Sequence, residues 1–346
     1  KDVAYKYFQT AKRKFIIADA PGHIQYTRNM VTGASNSDLI IILVDARKGV
    51  IEQTKRHTFL AKLLSLKKVL VCINKMDMVD FEESTYEQIK NDYKVLAQNL
   101  AIENVDFIPV SALKGDNIVS SSERMSWYTG PSLLSYLETI TLDEAQQQPW
   151  RLPVQWVVRP QTDELHDYRG YAGRVLGEGL TVGAAVIVQP SGLRSTIKAI
   201  EFDQQHIEAA ENGKSIIVHL NDDVDISRGD ILVSAANPGY TTRNFEANIS
   251  WFDNKALDLS QVYLLQNHSK TTKIKVQEVL YTYNVDTQEK IYNADITLNS
   301  IGKVYIKAAG EIAFDLQADL PENARAILID PRTNITVGAL MVQAID

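Results

Sequence analysis

The sequence predicts an α/β domain followed by two antiparallel β-barrels. Up to about residue 140, nearly continuous runs of Val, Ile and Leu alternate with segments whose apolar residues recur at helical spacing. From Arg151 onward the pattern changes to period-two alternation of apolar and polar residues, with frequent glycines. The first pattern is typical of a parallel sheet covered by helices, and the second of barrel strands joined by turns. A length of 346 residues also suggests roughly two or three domains.

Four apolar runs in the first domain predict strands that are buried on both faces of a doubly wound sheet. They read FIIAD at 15–19, DLIIILVDA at 38–46, KVLVCINK at 68–75 and VDFIPVSA at 105–112. Helical spacing occurs at 25–34, 52–66, 84–101 and 130–140. Ligands bind such sheets at the carboxyl ends of the strands, so the polar residues that end these runs form the candidate site.

Two breaks divide the chain. A polar stretch, DEAQQQP at 143–149, precedes the barrels, and a second break lies at 235–244. The predicted domains are therefore an α/β domain at 1–145, a first barrel at 151–238 and a second barrel at 243–346.

The composition, 45% hydrophobic and 23% charged, is that of a globular protein. A formal net charge of −7 argues against a general nucleic-acid binder, which usually carries a basic balance. The longest apolar run, Leu39–Val44, is too short for a membrane span, and no signal segment opens the chain, so we expect a cytoplasmic protein with no membrane partner. The single cysteine, Cys72, lies in an apolar run and is predicted to be buried and unreactive.

The first polar motif is DAPGH, which comprises Asp19, Ala20, Pro21, Gly22 and His23. A carboxylate here can hold Mg²⁺ through a bound water, and the glycine lets its N–H approach a phosphate closely. The histidine is then placed to orient an attacking water. A plain strand-to-helix turn has the same signature, and taken alone it is the better interpretation.

The second and third motifs favour a guanine nucleotide. In NKMD, Asp77 can accept hydrogen bonds from N1–H and the exocyclic amine of guanine, a paired donor face that adenine lacks. The stem of Lys75 would lie over the base, and the Asn74 amide would tie two loops together. In SAL, at Ser111, Ala112 and Leu113, the N–H of Ala112 can reach guanine O6. Each motif alone is a polar cap on a strand end, whereas all of them in this order predict a GTP site.

These motifs resemble those of the elongation-factor-Tu-like translational GTPases, whose GTPase domain is followed by two β-barrels. The resemblance is closer to one branch, the GTPase subunit family of heterodimeric ATP sulfurylase. It is carried by LVDARKGVIEQTKRH, INKMDMVD, SALKGDNIV and WYTGPSLL in the first domain, and by DYRGYAGRV, DVDISRGDIL and RTNITVGALMV in the barrels. The resemblance implies a P-loop GTPase domain, N-terminally truncated here, with GTP and Mg²⁺ as cofactors and His23 as the catalytic residue.

The chain departs from the family at two points. In the first motif, Ala20 and Ile24 stand where the family has Thr and Glu. Upstream, neither the G-x-x-x-x-G-K-[ST] phosphate loop nor the switch threonine expected just before Asp2 occurs in the sequence. The family places that loop upstream, after a central strand of the sheet. We therefore expect exposed apolar faces and an unpaired strand edge beside the position of that strand. If the chain begins at Lys1, we predict negligible GTP hydrolysis.

The resemblance further implies a GTPase subunit that couples GTP hydrolysis to the synthesis of adenylylsulfate and pyrophosphate from ATP and sulfate. Neither an S-G-G-x-D-S loop nor an H-x-G-H motif occurs in the sequence. Adenylylation is therefore expected on a partner, the small adenylyltransferase subunit of ATP sulfurylase. Two alternatives stay open, an elongation-factor-like GTPase that delivers tRNA and a degenerate scaffold that does not hydrolyse GTP.

Several other residues are better explained as structural. Asp45 could be a further carboxylate of the site, but the resemblance favours a structural strand end. Trp127 and Tyr128 are expected to pack at a helix start, and RGYAG at Arg169–Gly173 to form a barrel turn whose glycines permit tight geometry. His57 is expected to be a solvated or packing residue of an amphipathic helix. Four histidines of the barrels show no metal-ligand spacing and are expected to be structural, namely His166, His206, His219 and His268.

Overall fold

The structure, a computed structural model, describes residues 4–19, 37–64, 66, 68–141, 148–160, 168–284, 287 and 289–345. The chain divides into two compact units, 1–144 with 284–289 and 145–283 with 290–346. The first unit is an α/β domain and the second contains two antiparallel β-barrels, which confirms the predicted fold class. None of the described helices is both long and apolar enough to cross a membrane.

A parallel sheet of three strands forms the centre of the α/β domain. The strands are β3 (Ile40–Asp45), β4 (Val69–Asn74) and β5 (Val105–Pro109); β1 and β2 are described below. β4 pairs with β3 on one side and β5 on the other, so its residues from Val69 to Ile73 are at most 1% exposed. The strand-end residues Asp45 and Asn74 are register partners, which places both at one edge of the sheet.

Three described helices belong to this domain, α1 (Glu52–Leu63), α2 (Glu83–Asn99) and α3 (Leu133–Thr139). α1 packs on β3 and α2 packs on β5. A buried hydrogen bond of 2.8 Å between Thr58 Oγ1 and Tyr93 OH joins α1 to α2. Short 3₁₀ turns lie at Met76–Val79 and Glu123–Met125.

A separate hairpin is formed by β1 (Ala4–Gln9) and β2 (Lys14–Asp19), which pair antiparallel. The prediction that the run ending at Asp19 is buried in the parallel sheet is therefore wrong. Its apolar residues do form a strand, but β1 is the only strand that pairs with β2 in the described chain. As a result Ile16 is 68% exposed and Ile17 is 44% exposed.

The outer edge of β3 is also open among the described residues. β3 pairs with β4 on its inner side, and no described strand pairs with its other side. Leu43 is 64% exposed and Ile41 is 39% exposed. Apolar side chains on β2 and β3 thus face solvent among the described residues. The hairpin is attached elsewhere, since Arg13 Nη1 donates to the carbonyls of Leu137 and Ile140 at the end of α3.

The first barrel consists of six strands whose edges pair with each other. The strands of this region are β6 (Arg151–Val158), β7 (Gly170–Arg174), β8 (Leu180–Thr181), β9 (Ala185–Gln189), β10 (Leu193–Phe202), β11 (Gln205–Ile207), β12 (Ala209–Ala210), β13 (Ser215–Leu220) and β14 (Ile231–Ser234). The order is β10–β13–β7–β6–β14–β9, and β9 pairs back with β10 to close the barrel. β11 extends the sheet beside β10, and β8 and β12 form a separate pair.

The prediction that RGYAG forms a barrel turn is wrong, because Gly170–Arg174 is strand β7. Its glycines serve close packing between strands. A Cβ on Gly170 would lie 2.4 Å from Ile217 Cγ2, and one on Gly173 would lie 2.4 Å from the carbonyl oxygen of Pro153. Glycine spacing alone cannot distinguish such a packed strand from a turn, since both need a missing side chain.

The second barrel closes in the same way. Its strands are β15 (Tyr240–Trp251), β16 (Tyr263–Asn267), β17 (Lys270–Tyr283), β18 (Lys290–Ile291), β19 (Ile301–Phe314), β20 (Arg325–Asp330) and β21 (Ile335–Ile345). The order is β16–β20–β21–β15–β19–β17, with β17 pairing back to β16 and β18 added at β17. The large aromatic residues Phe245, Trp251 and Phe314 are at most 1% exposed in its core.

A buried ion pair joins the two barrels within their unit. Arg151 is 0% exposed, and its Nε and Nη2 donate to the two carboxylate oxygens of Asp315 at 2.9 and 2.6 Å. Arg151 Nη1 also donates to the carbonyl of Asn237, and Asn323 Nδ2 donates to Asp315. Because the guanidinium of Arg151 and the carboxylate of Asp315 find their hydrogen-bond partners inside the protein, this arrangement fixes the junction between the barrels.

Candidate functional site

The candidate site lies at the carboxyl ends of β3, β4 and β5. Asp45 ends β3, Asn74 ends β4, and Ser111 follows β5 by two residues. Parallel pairing brings these ends together, so side chains that are distant in the sequence become neighbours. The structure therefore joins two of the predicted motifs, NKMD and SAL, at one edge.

Asn74 links the loops that follow β4 and β5. Its Oδ1 accepts hydrogen bonds from the backbone N–H of Lys75 at 2.8 Å and of Ala112 at 3.0 Å. The N–H of Ala112 is the group predicted to reach guanine O6. In this arrangement it is directed at Asn74, so contact with O6 requires that the two acceptors share it or that Asn74 releases it.

Asp77 lies in the 3₁₀ turn after β4 and is held by Ser111. Ser111 Oγ donates to Asp77 Oδ1 at 2.6 Å, and the Ser111 residue itself is 0% exposed. Asp77 is half-buried, so its carboxylate is anchored from within the protein while part of it stays accessible. A fixed carboxylate of this kind can recognise a pair of N–H donors on a ligand.

The SAL loop is shaped by its own backbone bonds. The carbonyl of Ser111 accepts from the N–H of Gly115 at 2.8 Å, and Gly115 has a left-handed φ of +81° that favours glycine. Asn117, 1% exposed, donates from Nδ2 to the carbonyl of Pro109 at 2.9 Å. Leu113, the last residue of the motif, is 83% exposed. Asn117 was not singled out from the sequence, because a buried asparagine in a loop has no distinctive spacing.

Asp45 belongs to this cluster. Lys75 Nζ donates to Asp45 Oδ2 at 2.9 Å, and Arg47 donates to both carboxylate oxygens through Nε at 3.0 Å and Nη2 at 2.7 Å. The hydrogen bond from Arg47 holds the pKa of the Asp45 carboxyl well below its usual range, and Lys75 lowers this pKa further. Asp45 is thus a strand end, as expected, whose side chain also contacts a residue of NKMD.

The first motif is described only in part. Asp19 is the last residue of β2 and is exposed, in a different sheet from β4, the strand that Asn74 ends. Ala20, Pro21, Gly22 and His23 lie outside the described residues. Of the described part of the chain, no three His, Cys, Asp or Glu side chains group as a metal site. Mg²⁺ is commonly held by one or two carboxylates together with waters and phosphate oxygens.

Two structural predictions are confirmed nearby. Cys72 is 0% exposed, and burial raises the pKa of its thiol to about 12, so it is an unreactive core residue. Trp127 packs on the ring of Tyr86 with centroids 5.2 Å apart, and its Nε1 donates to the carbonyl of Phe81 at 3.0 Å.

Two protein families match parts of this chain. Residues 1–147 match the family described as elongation factor Tu GTP binding domain, and residues 244–343 match the GTP-eEF1A C-terminal domain-like family.

Relatives match over nearly the whole chain. Sulfate adenylyltransferase subunit 1 of Aeromonas salmonicida is 44% identical over 99% of this chain and 72% of the relative. Sulfate adenylyltransferase subunit 1 of Salmonella heidelberg is 42% identical over 100% of this chain and 72% of the relative. The bifunctional enzyme NodQ of a Rhizobium species is 39% identical over 99% of this chain and 53% of that enzyme.

Among solved structures, a crystal structure of sup35 complexed with GMPPNP is similar, with a TM-score of 0.54 and 23% identity. The similarity covers 99% of this chain and 84% of that chain, and it concerns the fold.

Proposed function

We propose a function from one premise: the chain belongs to the family of sulfate adenylyltransferase subunit 1, within the elongation-factor-Tu-like GTPases. It is the GTPase subunit of a sulfate adenylyltransferase. The complex joins ATP and sulfate into adenylylsulfate and pyrophosphate, and GTP hydrolysis on this subunit drives that unfavourable reaction forward. This role is one in sulfate assimilation and implies a cytoplasmic location.

The observation that carries the guanine assignment is the bond of 2.6 Å between Ser111 Oγ and Asp77 Oδ1. It fixes the carboxylate that would receive N1–H and the exocyclic amine of guanine. Adenine would leave that carboxylate unpaired, at a cost that excludes ATP from this site. Lys75 would cover the base with its stem, and Asn74, Ala112 and Leu113 would complete the guanine end.

The phosphate end involves the first motif. Gly22 would donate its N–H to the γ-phosphate and His23 would orient the attacking water, with Asp19 holding Mg²⁺ through a water. When bound, Mg²⁺ neutralises negative charge on the phosphates. Ala20 and Pro21 belong to the same motif and would complete the phosphate end of the site. Catalysis would then consist of positioning and charge stabilisation, without a covalent intermediate on the protein.

Adenylylation itself belongs to a partner in this proposal, the small adenylyltransferase subunit of ATP sulfurylase. The sequence of this chain contains neither of the two pyrophosphate- or nucleotide-handling motifs sought for that chemistry, S-G-G-x-D-S and H-x-G-H. In this proposal the energy of GTP hydrolysis is passed to a reaction centre on that partner.

The test is pyrophosphate release from ATP and sulfate by the full-length gene product mixed with its small subunit, with and without GTP. We expect release to rise with GTP. Asp77→Asn removes a charged acceptor and should raise the GTP concentration for half-maximal stimulation by about ten- to a hundredfold. Asp92→Asn makes the same chemical change on an exposed position of α2 and should have no effect.

Two results would contradict the proposal. Release that does not respond to GTP would make the chain a scaffold within the complex. No release under any condition, with both subunits shown to be folded, would exclude the sulfate-activating role.

A further inference from the structure

A cluster of alternating charges surrounds the side chain of Lys75. Asp45 accepts from Lys75 Nζ at 2.9 Å, and the same oxygen accepts from Arg47 Nη2 at 2.7 Å. The Asp45 side chain is 20% exposed and that of Lys75 is 47% exposed. The pair is therefore partly shielded from solvent and less screened than a pair on an open surface.

Asp45 is held more firmly than an ordinary surface carboxylate. Besides the two bonds from the Arg47 guanidinium, the backbone N–H of Arg47 donates to Asp45 Oδ1 at 3.0 Å. The Asp45 carbonyl accepts from the N–H of Lys48 at 2.9 Å and of Gly49 at 3.0 Å. Main chain and side chain of Asp45 are thus both fixed by the turn that follows β3.

The backbone of Lys75 is fixed as well. Its φ of +65° is in the left-handed region, unusual for a lysine, and its N–H donates to Asn74 Oδ1 at 2.8 Å. A lysine side chain has several rotatable bonds, and restraining it costs conformational entropy. The bond to Asp45 restrains the end of this side chain, so both ends of the residue are set before any ligand arrives.

Arg47 adds a second positive charge beside Asp45. The Asp45 carboxylate raises the pKa of the Arg47 guanidinium most strongly, and the charge of Asp77 raises it at longer range. Two cations, Lys75 and Arg47, therefore share the carboxylate of Asp45. Removing the charge of Asp45 would take away the charged acceptor of both Lys75 Nζ and the Arg47 guanidinium.

We propose that Asp45 is a positioning residue of the guanine site, whose carboxylate, braced by Arg47, holds the Lys75 side chain in place beside the base. This inference rests on the proposed function, because it takes Lys75 to be the residue that covers guanine. Asp45 acts through Lys75 and does not itself contact the nucleotide. Its loss should weaken binding of the base without altering chemistry at the phosphates.

The test is a double-mutant cycle on the full-length gene product, read by the Kd of a fluorescent GDP analogue. Asp45→Asn keeps the size of the side chain and removes its charge, and it should raise Kd about three- to tenfold, as expected for freeing one long side chain. Lys75→Met keeps an aliphatic stem and removes the ammonium. In the Lys75→Met background, Asp45→Asn should change Kd by less than about twofold, because the interaction is already lost.

A merely structural role for Asp45 predicts different results. The effects of the two substitutions on Kd would then multiply, and kcat for GTP hydrolysis would fall together with affinity. We expect kcat at saturating GTP to stay within about twofold of the wild type, because the ion pair lies at the base end of the site. Tighter GDP binding by Asp45→Asn would also overturn the proposal, since it would make the ion pair an obstacle.

Two further variants complete the design. Glu52→Gln breaks the ion pair of 3.4 Å with Arg56 on α1 and should leave Kd unchanged. If Asp45→Asn does not fold, Arg47→Gln removes the brace from Asp45, and a rise in Kd of about two- to threefold is expected; no change would contradict the proposal. Failure of the proposed guanine site is recognised separately, because wild-type protein would then show no preference for GDP over ADP, and failure of the sulfate-activating role would appear only in the assay of pyrophosphate release.

Discussion

β2 and β4 have similar sequences, KFIIAD and VLVCIN, but very different surroundings. Ile16 in β2 is 68% exposed, whereas Ile73 in β4 is 0% exposed. β4 lies between two parallel strands, whereas β2 pairs only with β1 among the described residues. An apolar run therefore predicts a strand, but its neighbours decide whether the strand is buried.

The barrels show the opposite case. In each barrel the two strands at the ends of the sheet order pair with each other, β9 with β10 and β16 with β17. No strand of the six therefore needs a partner from elsewhere. The alternation of apolar and polar residues is then enough to decide which side chains enter the core. In β19, for example, Val304 and Ile306 are 0% exposed, while Lys307 is exposed.

The largest expected effect tests the contrast between β2 and β4 directly. Ile73→Ala should lower the free energy of unfolding of the α/β domain by about 2–5 kcal/mol, because it leaves a cavity in a packed core. Ile16→Ala should change it by no more than about 0.5 kcal/mol, as for other exposed positions. Hydrogen exchange of β4 amides, measured by mass spectrometry on the full-length protein, reports the change in the free energy of unfolding for each variant. An equal loss in the two variants would show that β2 is covered in solution.

A second comparison concerns one glycine in each barrel, Gly173 and Gly310, whose surroundings differ. Gly173→Ala in β7 should destabilise by about 1–3 kcal/mol, because the added Cβ must displace a backbone carbonyl. Gly310→Ala in β19 meets nothing within 4 Å and should be neutral or stabilise by about 0.5–1 kcal/mol. Calorimetric unfolding of both variants gives the sign. Destabilisation by Gly310→Ala would indicate that this strand is more tightly packed than described.

The smallest effect at neutral pH concerns Cys72. The pKa of its thiol is raised by burial from 9.0 to about 12 in the folded protein. Because the unfolded chain releases this proton at lower pH than the native one, the contribution to stability is complete below pH 9 and decreases up to about pH 12.

Denaturant unfolding between pH 8 and 11 measures the change. Tyrosines of the same domain, such as Tyr86 and Tyr93, also have pKa values raised by burial. The difference between wild type and Cys72→Ala isolates the thiol. A pH dependence that is identical in the two proteins would mean that Cys72 is accessible to solvent.

Much of the candidate site could be predicted from the sequence, because polar residues at the ends of adjacent parallel strands must meet. NKMD and SAL were found in this way, and their loops are joined by Asn74. The contact between Asp45 and Lys75 could not be predicted, since it depends on two side-chain conformations and on the bracing by Arg47. The strand at RGYAG was missed because close packing between strands leaves the same glycine pattern as a turn.

The sequence by itself determined the order of the domains, the positions of most strands and the polar residues that end them, since these follow from local periodicity. Tertiary structure decided which strands are covered, how each barrel closes and which charges meet. Arg151 shows the difference, because its partner Asp315 lies in the other barrel and no local pattern links the two. Burial and charge pairing depend on neighbours brought together by the fold, and periodicity records only the conformation of each segment.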